Sequence, residues 1–327
     1  MRGKIPVVLL TGFLGSGKTT LLSRVLADGG FADSAVIINE FGEVSIDHLV
    51  VADLAENIVE LRDGCLCCTI RGDLVMTLRD LHRKRVLEEI PSFRRVIVET
   101  TGLADPVPLV HTLMANQPLM AVYRLDAVVC VVDGEHGLTT LAAHDTAKDQ
   151  VAIADLLVLS KVDVAPRATL DALRAELETI NPGAEIHQVA RGEVDATTLF
   201  GRQVFQPAAR DAALARWLHA SEHHHDHGAR YGAHVIRHAG AWSLAGTSVF
   251  LNRVVNEFRD NLLRIKGIAA FREKGGRPAV LHAVQNKFYP VEWLDAWPDE
   301  DQEGRLVFIG RDLDVNRIDE LFNSLCV

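Results

Sequence analysis

Cysteine is scarce in this chain, with five residues among 327. So few thiols exclude the disulfide framework of a secreted scaffold. Long apolar runs are missing too, since no stretch approaches the roughly 20 residues that a membrane-spanning helix needs. The N-terminal residues MRGKIPVVLL resemble the start of a signal peptide. They continue into TGFLGSGKTT, which is not a signal-peptidase cleavage site. We therefore expect a cytoplasmic protein without a membrane partner.

Basic residues are outnumbered as well: 34 Lys and Arg face 44 Asp and Glu, for a formal net charge of −10. Residues 230–327 hold 13 of each kind, so all of the acidic excess lies in residues 1–229. A net-acidic chain does not suit a phosphate backbone, and we expect no nucleic-acid partner. The charge is compatible with a protein that handles cations.

Short β-branched runs alternate with amphipathic helical segments over residues 1–200. Most of these runs are apolar on both faces, as buried parallel strands are. The alternation predicts a doubly wound, mostly parallel α/β domain. The runs are IPVVLLT, SAVIIN, NIVEL, RRVIVET, DAVVCVVD, ADLLVLSK and AEIHQVA.

The pattern changes after residue 200. Residues 201–230 form a polar, His-rich predicted linker, and residues 231–327 a smaller α+β domain. In that domain a long helix is predicted over SVFLNRVVNEFRDNLLRIKG, residues 248–267, followed by strand segments and a last helix, VNRIDELFNSLC. His234 and His238 are predicted to face solvent on a strand.

The segment GFLGSGKTT matches the phosphate-loop pattern G-x-x-x-x-G-K-[ST] between a strand and a helix, the context that this motif requires. A glycine-rich turn that matches by chance would not explain both flanking elements. Lys18 is predicted to reach the β- and γ-phosphates, and the Thr19 hydroxyl to bind Mg²⁺. The predicted nucleotide-binding residues of this loop are Gly12, Gly15, Ser16, Gly17, Lys18, Thr19 and Thr20.

Two later strand ends add candidates. In SKVD, the Asp163 carboxylate can accept from the two donors of guanine that adenine lacks, with Lys161 along the base; Ser stands where the N-K-x-D motif of GTPases has Asn. In VIVETTG, Glu99 can hold a magnesium-bound water and the Gly102 amide can meet the γ-phosphate. An ordinary strand-end acid is the alternative for Glu99. The predicted catalytic residues are Lys18, Thr19 and Glu99.

Three of the five cysteines lie within DGCLCC, at Cys65, Cys67 and Cys68. The segment follows a predicted strand, so it should lie at the same sheet edge as the phosphate loop. Three thiolates from one loop make only part of a tetrahedral zinc site. Water, a client protein or a carboxylate must complete it, and NEFGEVSID, in the position of a switch loop, offers Glu40, Glu43 and Asp47.

Other interpretations of the thiols remain open at this point. Soft thiolates favour Zn²⁺ or Cu(I), and mixed S/O sites admit Co²⁺ or Ni²⁺. A redox dithiol formed by Cys65 and Cys68, or simple buried cysteines, are the alternatives. Cys130 is predicted to be a core residue and Cys326 to be incidental. The tract His223, His224, His225 and His227 is either a weak metal collector or a polar linker.

Together these segments resemble the CobW-type P-loop GTPases, in the YjiA-like branch, which are metallochaperones related to UreG and HypB. The resemblance covers nearly the whole chain. It implies a domain that binds GTP and GDP with Mg²⁺ and hydrolyses GTP slowly, Zn²⁺ (or Co²⁺ or Ni²⁺) at the cysteines, and a C-terminal domain that meets clients. Several relatives have Glu where this chain has Ile38, so the family's use of that acid as a metal ligand does not carry over to this position. The matching segments are LLTGFLGSGKTTLL, INEFGEVSID, DGCLCC, VIVETTGLADP, VVDGEHG, SKVD and LLRIKGI.

The function predicted from the sequence is a GTP-dependent metallochaperone that delivers a transition metal, zinc first, to a client metalloprotein. One alternative is a metal buffer in which GTP is only structural. Another is an ATP-dependent small-molecule kinase, which would leave Asp163 and the cysteines without a role. The sequence is also compatible with a homodimer.

Overall fold

The computed structural model describes residues 4–27, 33–38, 58–60, 69–191, 230–298 and 302–326. The chain divides into two compact units, residues 1–174 with 185–206 and residues 175–184 with 207–327. Apart from Arg230, the predicted linker at 201–230 lies outside the described residues, so its limits stay a prediction. Within the described ranges, no helix is long and apolar enough to cross a membrane.

The first unit contains a fully parallel seven-stranded sheet in the order β3-β2-β4-β1-β5-β6-β7. This confirms the predicted doubly wound α/β fold. The strands are β1 Ile5–Thr11, β2 Ser34–Ile38, β3 Ile58–Glu60, β4 Arg95–Glu99, β5 Tyr123–Asp133, β6 Leu156–Ser160 and β7 Glu185–Gln188. The helices are α1 Lys18–Ala27, α2 Thr69–Val86, α3 Val107–Ala115, α4 Gln117–Val122, α5 Gly137–Ala143, α6 Asp145–Ala152 and α7 Arg167–Ile180.

The central strands form the core of this unit. Consecutive residues of β1, such as Val8 and Leu9, are both buried, because each face of the strand is covered. Leu22 and Val25 of α1 join the same core. Full burial of one such aliphatic side chain contributes about 1.5–3 kcal/mol. The apolar strand runs of the sequence are therefore explained by burial on both sides.

The strand register brings the ends of four strands into one row. Leu10 of β1 pairs with Glu99 of β4, Glu99 pairs with Ile38 of β2, and Ile38 pairs with Glu60 of β3. These strands therefore end at one edge of the sheet, its carboxyl edge. Ligands of open parallel sheets bind at that edge.

The second unit contains an antiparallel sheet in the order β11-β10-β9-β13-β8, with β12 paired to β10. Two helices, α8 and α9, pack on each other, and Phe250 and Phe322 from them meet Phe308 of the sheet in an aromatic cluster. The elements are β8 Tyr231–Ala239, α8 Leu244–Glu257, β9 Leu262–Phe271, a 3₁₀ turn Arg272–Lys274, β10 Arg277–Val284, β11 Lys287–Phe288, β12 Glu292–Trp293, β13 Glu303–Arg311 and α9 Val315–Leu325.

The long helix predicted over residues 248–267 was wrong in its second half. Helix α8 begins after Ser243, whose hydroxyl accepts from Gly246 N–H, and ends at Glu257. Leu262 begins strand β9, which pairs with β10 on one side and β13 on the other. A strand buried on both faces is continuously apolar, and periodicity alone does not distinguish it from a buried helix.

The prediction that His234 faces solvent was also wrong. His234 is buried, and its Nε2 lies 2.7 Å from Oδ1 of Asp319 in α9. His238 is half-buried and contacts the ring of Phe322 edge-on. Both histidines lie on the face of β8 that the helices cover, since alternate residues of a strand share a face.

The two described cysteines are core residues. Burial raises the pKa of the Cys130 thiol to about 12, as expected for the predicted core position on β5. Cys326, predicted to be incidental, is also buried, and burial raises its pKa to about 11 although a hydrogen bond with Thr247 opposes the shift. Both thiols are therefore protonated at neutral pH and are poor metal ligands.

Candidate functional site

The phosphate loop lies between β1 and α1, and its backbone requires glycine. Gly12, Gly15 and Gly17 all have positive φ, which residues with a Cβ rarely adopt. At Gly12 (φ 141°) a Cβ would also collide with the carbonyl oxygen of Val131 on β5. The loop thus packs directly on the neighbouring strand, which no side chain at Gly12 would permit.

Lys18, the first residue of α1, is turned into this loop. Its Nζ donates to the carbonyl oxygens of Gly12 at 2.9 Å and Phe13 at 3.2 Å. The side chain is largely buried, with 8% of its surface exposed. The cation is therefore held within the loop that the sequence assigns to phosphate, next to a helix N-terminus that favours negative charge.

Thr19 and Glu99 meet across 80 residues of sequence. The Thr19 hydroxyl donates to Glu99 Oε1 at 2.8 Å, and Glu99 is only 5% exposed at the end of β4. A hydroxyl and a carboxylate oxygen are the hard ligands that Mg²⁺ prefers. The chemistry of these two residues fits a magnesium ion, and the magnesium site stays a prediction.

The segment after β4 touches the phosphate loop. Thr100 Oγ1 donates to Thr11 Oγ1 at 3.0 Å, and a Cβ on Gly102 would lie 2.6 Å from the backbone nitrogen of Leu14. Only glycine permits this approach. The Gly102 backbone therefore lies against the phosphate loop. The buried Gln150 of α6 donates to the carbonyl oxygens of Gly102 and Ala104, a contact that no sequence pattern had indicated.

Ser160 joins the predicted base-binding segment to the phosphate loop. Its hydroxyl lies 2.6 Å from the carbonyl oxygen of Ser16, to which it donates, with Val132 O at 3.3 Å. The serine that replaces the Asn of N-K-x-D thus still fixes the two loops to each other. The sequence did not predict this contact, because the partners are 144 residues apart.

Lys161 is anchored by the end of β5. Its Nζ lies 2.6 Å from Asp133 Oδ2. Burial acts to raise the pKa of Asp133, but hydrogen bonds from Lys161 and from the N–H groups of His136 and Glu135 outweigh burial and hold that pKa below its usual value. The ionised carboxylate therefore fixes the position of the lysine directly after β6.

Asp163 is held by the residue that lies beyond the end of β7. Its side chain is 28% exposed, and Oδ1 accepts from the backbone N–H of Arg191 at 3.3 Å. The Arg191 Nε lies 3.5 Å from Oδ2. Arg191 follows β7 with a positive φ of 51°. The carboxylate is thus oriented by a residue that sequence analysis missed.

Several predicted site residues lie outside the described residues. Ile38, the departure from the family pattern, is described: it ends β2 and packs in the core. Among the described residues, no group of three or more potential ligands could hold a metal ion. The predicted ligands outside the described ranges are Cys65, Cys67, Cys68, Glu40, Glu43, Asp47, His223, His224, His225 and His227.

We expect Asp163→Asn to reduce the preference for GTP over ATP by about 10- to 100-fold, because the amide turns a donor toward the guanine donors from which the carboxylate accepts. Competitive binding of GDP and ADP to the variant would measure this. Asp171→Asn, on the exposed face of α7, makes the same chemical change away from the site and serves as the control. Unchanged selectivity in Asp163→Asn would contradict the assignment of base recognition.

Comparison with known proteins extends over both units. The CobW/HypB/UreG nucleotide-binding domain matches residues 6–188, and the C-terminal domain of the cobalamin synthesis protein cobW matches residues 231–326. The chain is 33% identical over 322 residues to the zinc chaperone YjiA of Escherichia coli, with 98% of each chain covered. It is 31% identical to the zinc chaperone CobW of Pseudomonas aeruginosa, over 95% of this chain and 88% of that protein. The crystal structure of Zn(II)-bound YjiA GTPase from E. coli covers 99% of both chains with a TM-score of 0.78 and 29% identity.

Proposed function

The chain belongs to the CobW/HypB/UreG family, and from this premise we propose that it is a GTPase that binds zinc and delivers it to a client metalloprotein. One observation carries the proposal: Lys18, the Thr19–Glu99 pair and Asp163 lie along one edge of the sheet, in the order that a guanine nucleotide with magnesium requires. The full-length similarity to zinc chaperones supports the choice of metal.

In this proposal the phosphate loop and Lys18 stabilise the charge that develops on the transferred phosphoryl group. Thr19 and Glu99 hold Mg²⁺, which when bound neutralises charge on the β- and γ-phosphate oxygens. The Gly102 N–H meets the γ-phosphate, so the segment after β4 distinguishes GTP from GDP. Asp163 accepts from guanine.

The cysteines are proposed to share this edge. Glu60, the last residue of β3, is two strands from Glu99 in the same row, a separation of about 10 Å for strands roughly 4.8 Å apart. The segment that carries Cys65, Cys67 and Cys68 begins directly after Glu60 and ends where α2 begins, at Thr69. Its starting point thus lies close to the proposed magnesium ligand, which supports communication between the nucleotide and the metal.

The zinc ligands in this proposal are the three thiolates, with Glu40 or Glu43 or a client completing four-coordination. Because Ile38 is a core residue, it contributes no ligand, and the three thiolates alone leave the zinc site one ligand short. An incomplete site releases metal more readily than a closed one, which suits delivery. The proposal also admits Co²⁺ or Ni²⁺ as cargo and includes metal collection by the His tract at 223–227. It further includes homodimer formation and a cytoplasmic location.

We expect Cys67→Ser with Cys68→Ser to abolish tight zinc binding and the proton release that accompanies it, while GTP affinity of the metal-free protein stays within about twofold. Loss of two thiolates removes most of the ligand set, whereas the nucleotide contacts come from other loops. Zinc titration with a pH indicator would measure both quantities. Cys326→Ser, which changes a buried thiol of the second unit, is the control. Unaltered zinc affinity in the double variant would contradict the proposed site.

A further inference from the structure

Helix α6 lies against both loops that meet the proposed triphosphate. At its N-terminal end, the ring of His144 stacks on Phe13 of the phosphate loop, with centroids 4.5 Å apart. Near its C-terminal end, Gln150 Nε2 donates to Gly102 O at 3.2 Å and Ala104 O at 3.1 Å. One short helix therefore contacts the phosphate loop and the segment that follows β4.

The two hydrogen bonds require an amide. Gln150 is fully buried, and its NH₂ group has two hydrogens for two main-chain carbonyl oxygens. The flipped amide would place an oxygen against both carbonyls, and a carboxylate would repel both. Chemistry thus fixes the orientation of the side chain, and Glu is not a conservative replacement here.

The oxygen end of the carboxamide is buried as well. Gln150 Oε1 and Ser16 Oγ are both buried and have no hydrogen-bond partner among the described residues. Both residues line a cavity of about 20 Å³ beneath Phe13 and Leu14 of the phosphate loop, enough for one water molecule. The amide therefore binds the segment after β4 through its nitrogen, while Gln150 and Ser16 of the phosphate loop line one cavity.

Hydrogen bonds fix the segment after β4 at its start, where α3 begins, and in its middle. Thr100 N–H donates to Leu10 O at its start, and the Asp105 carboxylate accepts from Val107 N–H where α3 begins. Between these points lies Gly102, with the phosphate loop on one side. Gln150 donates the side-chain hydrogen bonds to the carbonyl oxygens of Gly102 and Ala104, in the middle of the segment.

We propose that Gln150 is a positioning residue for hydrolysis: it sets the main chain at Gly102 so that the Gly102 N–H meets the γ-phosphate. This rests on the proposed function, because it gives Gly102 that role. GDP lacks the γ-phosphate, so loss of Gln150 affects GTP and not GDP. A displacement of about 1 Å at such a contact costs on the order of 10²-fold in rate.

The test uses Gln150→Met, which keeps the volume without donors, and Gln150→Glu, which adds repulsion. We expect kcat for GTP to fall by about 10- to 100-fold, more in the Glu variant. The affinity for GDP stays within about twofold, and the affinity for a non-hydrolysable GTP analogue relative to GDP falls. Gln117→Glu, an exposed residue at the first position of α4, makes the same chemical change elsewhere.

The measurements separate failure of this inference from failure of the proposed function. Wild-type kcat and an unchanged analogue-to-GDP ratio in folded Gln150→Met would overturn the inference. A parallel loss of GDP binding and thermal stability would also overturn it, by showing a purely structural role. If wild-type protein fails to hydrolyse GTP but the ratio still falls in Gln150→Met, the positioning of Gly102 against the γ-phosphate stands, while the proposed GTPase activity and the role of Gln150 in it fail. Should Gln150→Glu not fold, Gln150→Met alone decides.

Discussion

We expect Lys18→Ala to lower the rate of GTP hydrolysis by at least about 10²- to 10³-fold, the cost of removing one preorganised electrostatic group in a buried site. The Lys18 ammonium is held in the phosphate loop by two carbonyl oxygens and is mostly buried, so water cannot replace its charge effectively. GTP affinity should fall with it, because the same cation contacts the bound phosphates. Phosphate release under saturating GTP and nucleotide titration would measure the two effects.

Lys4→Ala is the matched control for this variant. Lys4 is exposed and precedes β1 at the opposite edge of the sheet, so its loss changes the net charge equally without touching the loop. It should leave turnover within about twofold, as surface charges contribute little. Wild-type turnover in Lys18→Ala would contradict the assignment of the phosphate loop.

The second large effect is expected at Thr19. Thr19→Val keeps the shape of the side chain but removes the hydroxyl that donates to Glu99. Without it, the proposed Mg²⁺ loses a ligand and the buried carboxylate loses a hydrogen bond. We expect hydrolysis to fall by about 10²-fold or more, since metal charge stabilisation is worth several kcal/mol. Turnover as a function of Mg²⁺ concentration would measure the loss.

Thr19→Ser provides the internal control, because it restores the hydroxyl and removes only a methyl group. It should keep most of the activity and nearly the wild-type Mg²⁺ dependence. If Val and Ser at this position behave alike, the hydroxyl binds no metal, and the fit of Thr19 and Glu99 to Mg²⁺ has no functional meaning.

Patterns local in sequence predicted the first unit well. The central strand runs were predictable because strands covered on both faces are continuously apolar, whereas β7, Glu185–Gln188, is only half-buried. The phosphate loop was recognisable because its glycines, Lys18 and Thr19 are contiguous and lie between a strand and a helix. The shared edge of the nucleotide residues followed from parallel topology alone. The family resemblance led to the same fold, and the matches over both units confirm it.

What the sequence did not predict depends on contacts between distant residues. Strand β9 looked like a helix because its pairing with β10 and β13 has no local signature. His234 looked exposed because α9, which covers it, lies some 80 residues later. The site contacts of Gln150, Ser160 and Arg191 span 28 to 144 residues. Such polar contacts form between residues far apart in sequence, so they can be identified only from the packed structure.

The central claim is that the nucleotide state controls the affinity for metal. It is tested most directly by titrating Zn²⁺ into wild-type protein with Mg²⁺ and GDP, and then with Mg²⁺ and a non-hydrolysable GTP analogue. We expect the affinity to differ by about 5- to 150-fold, tighter with the analogue, and metal to tighten analogue binding by the same factor. Equal zinc affinities in both nucleotide states would contradict the metallochaperone account and leave a metal buffer or a redox role for the cysteines.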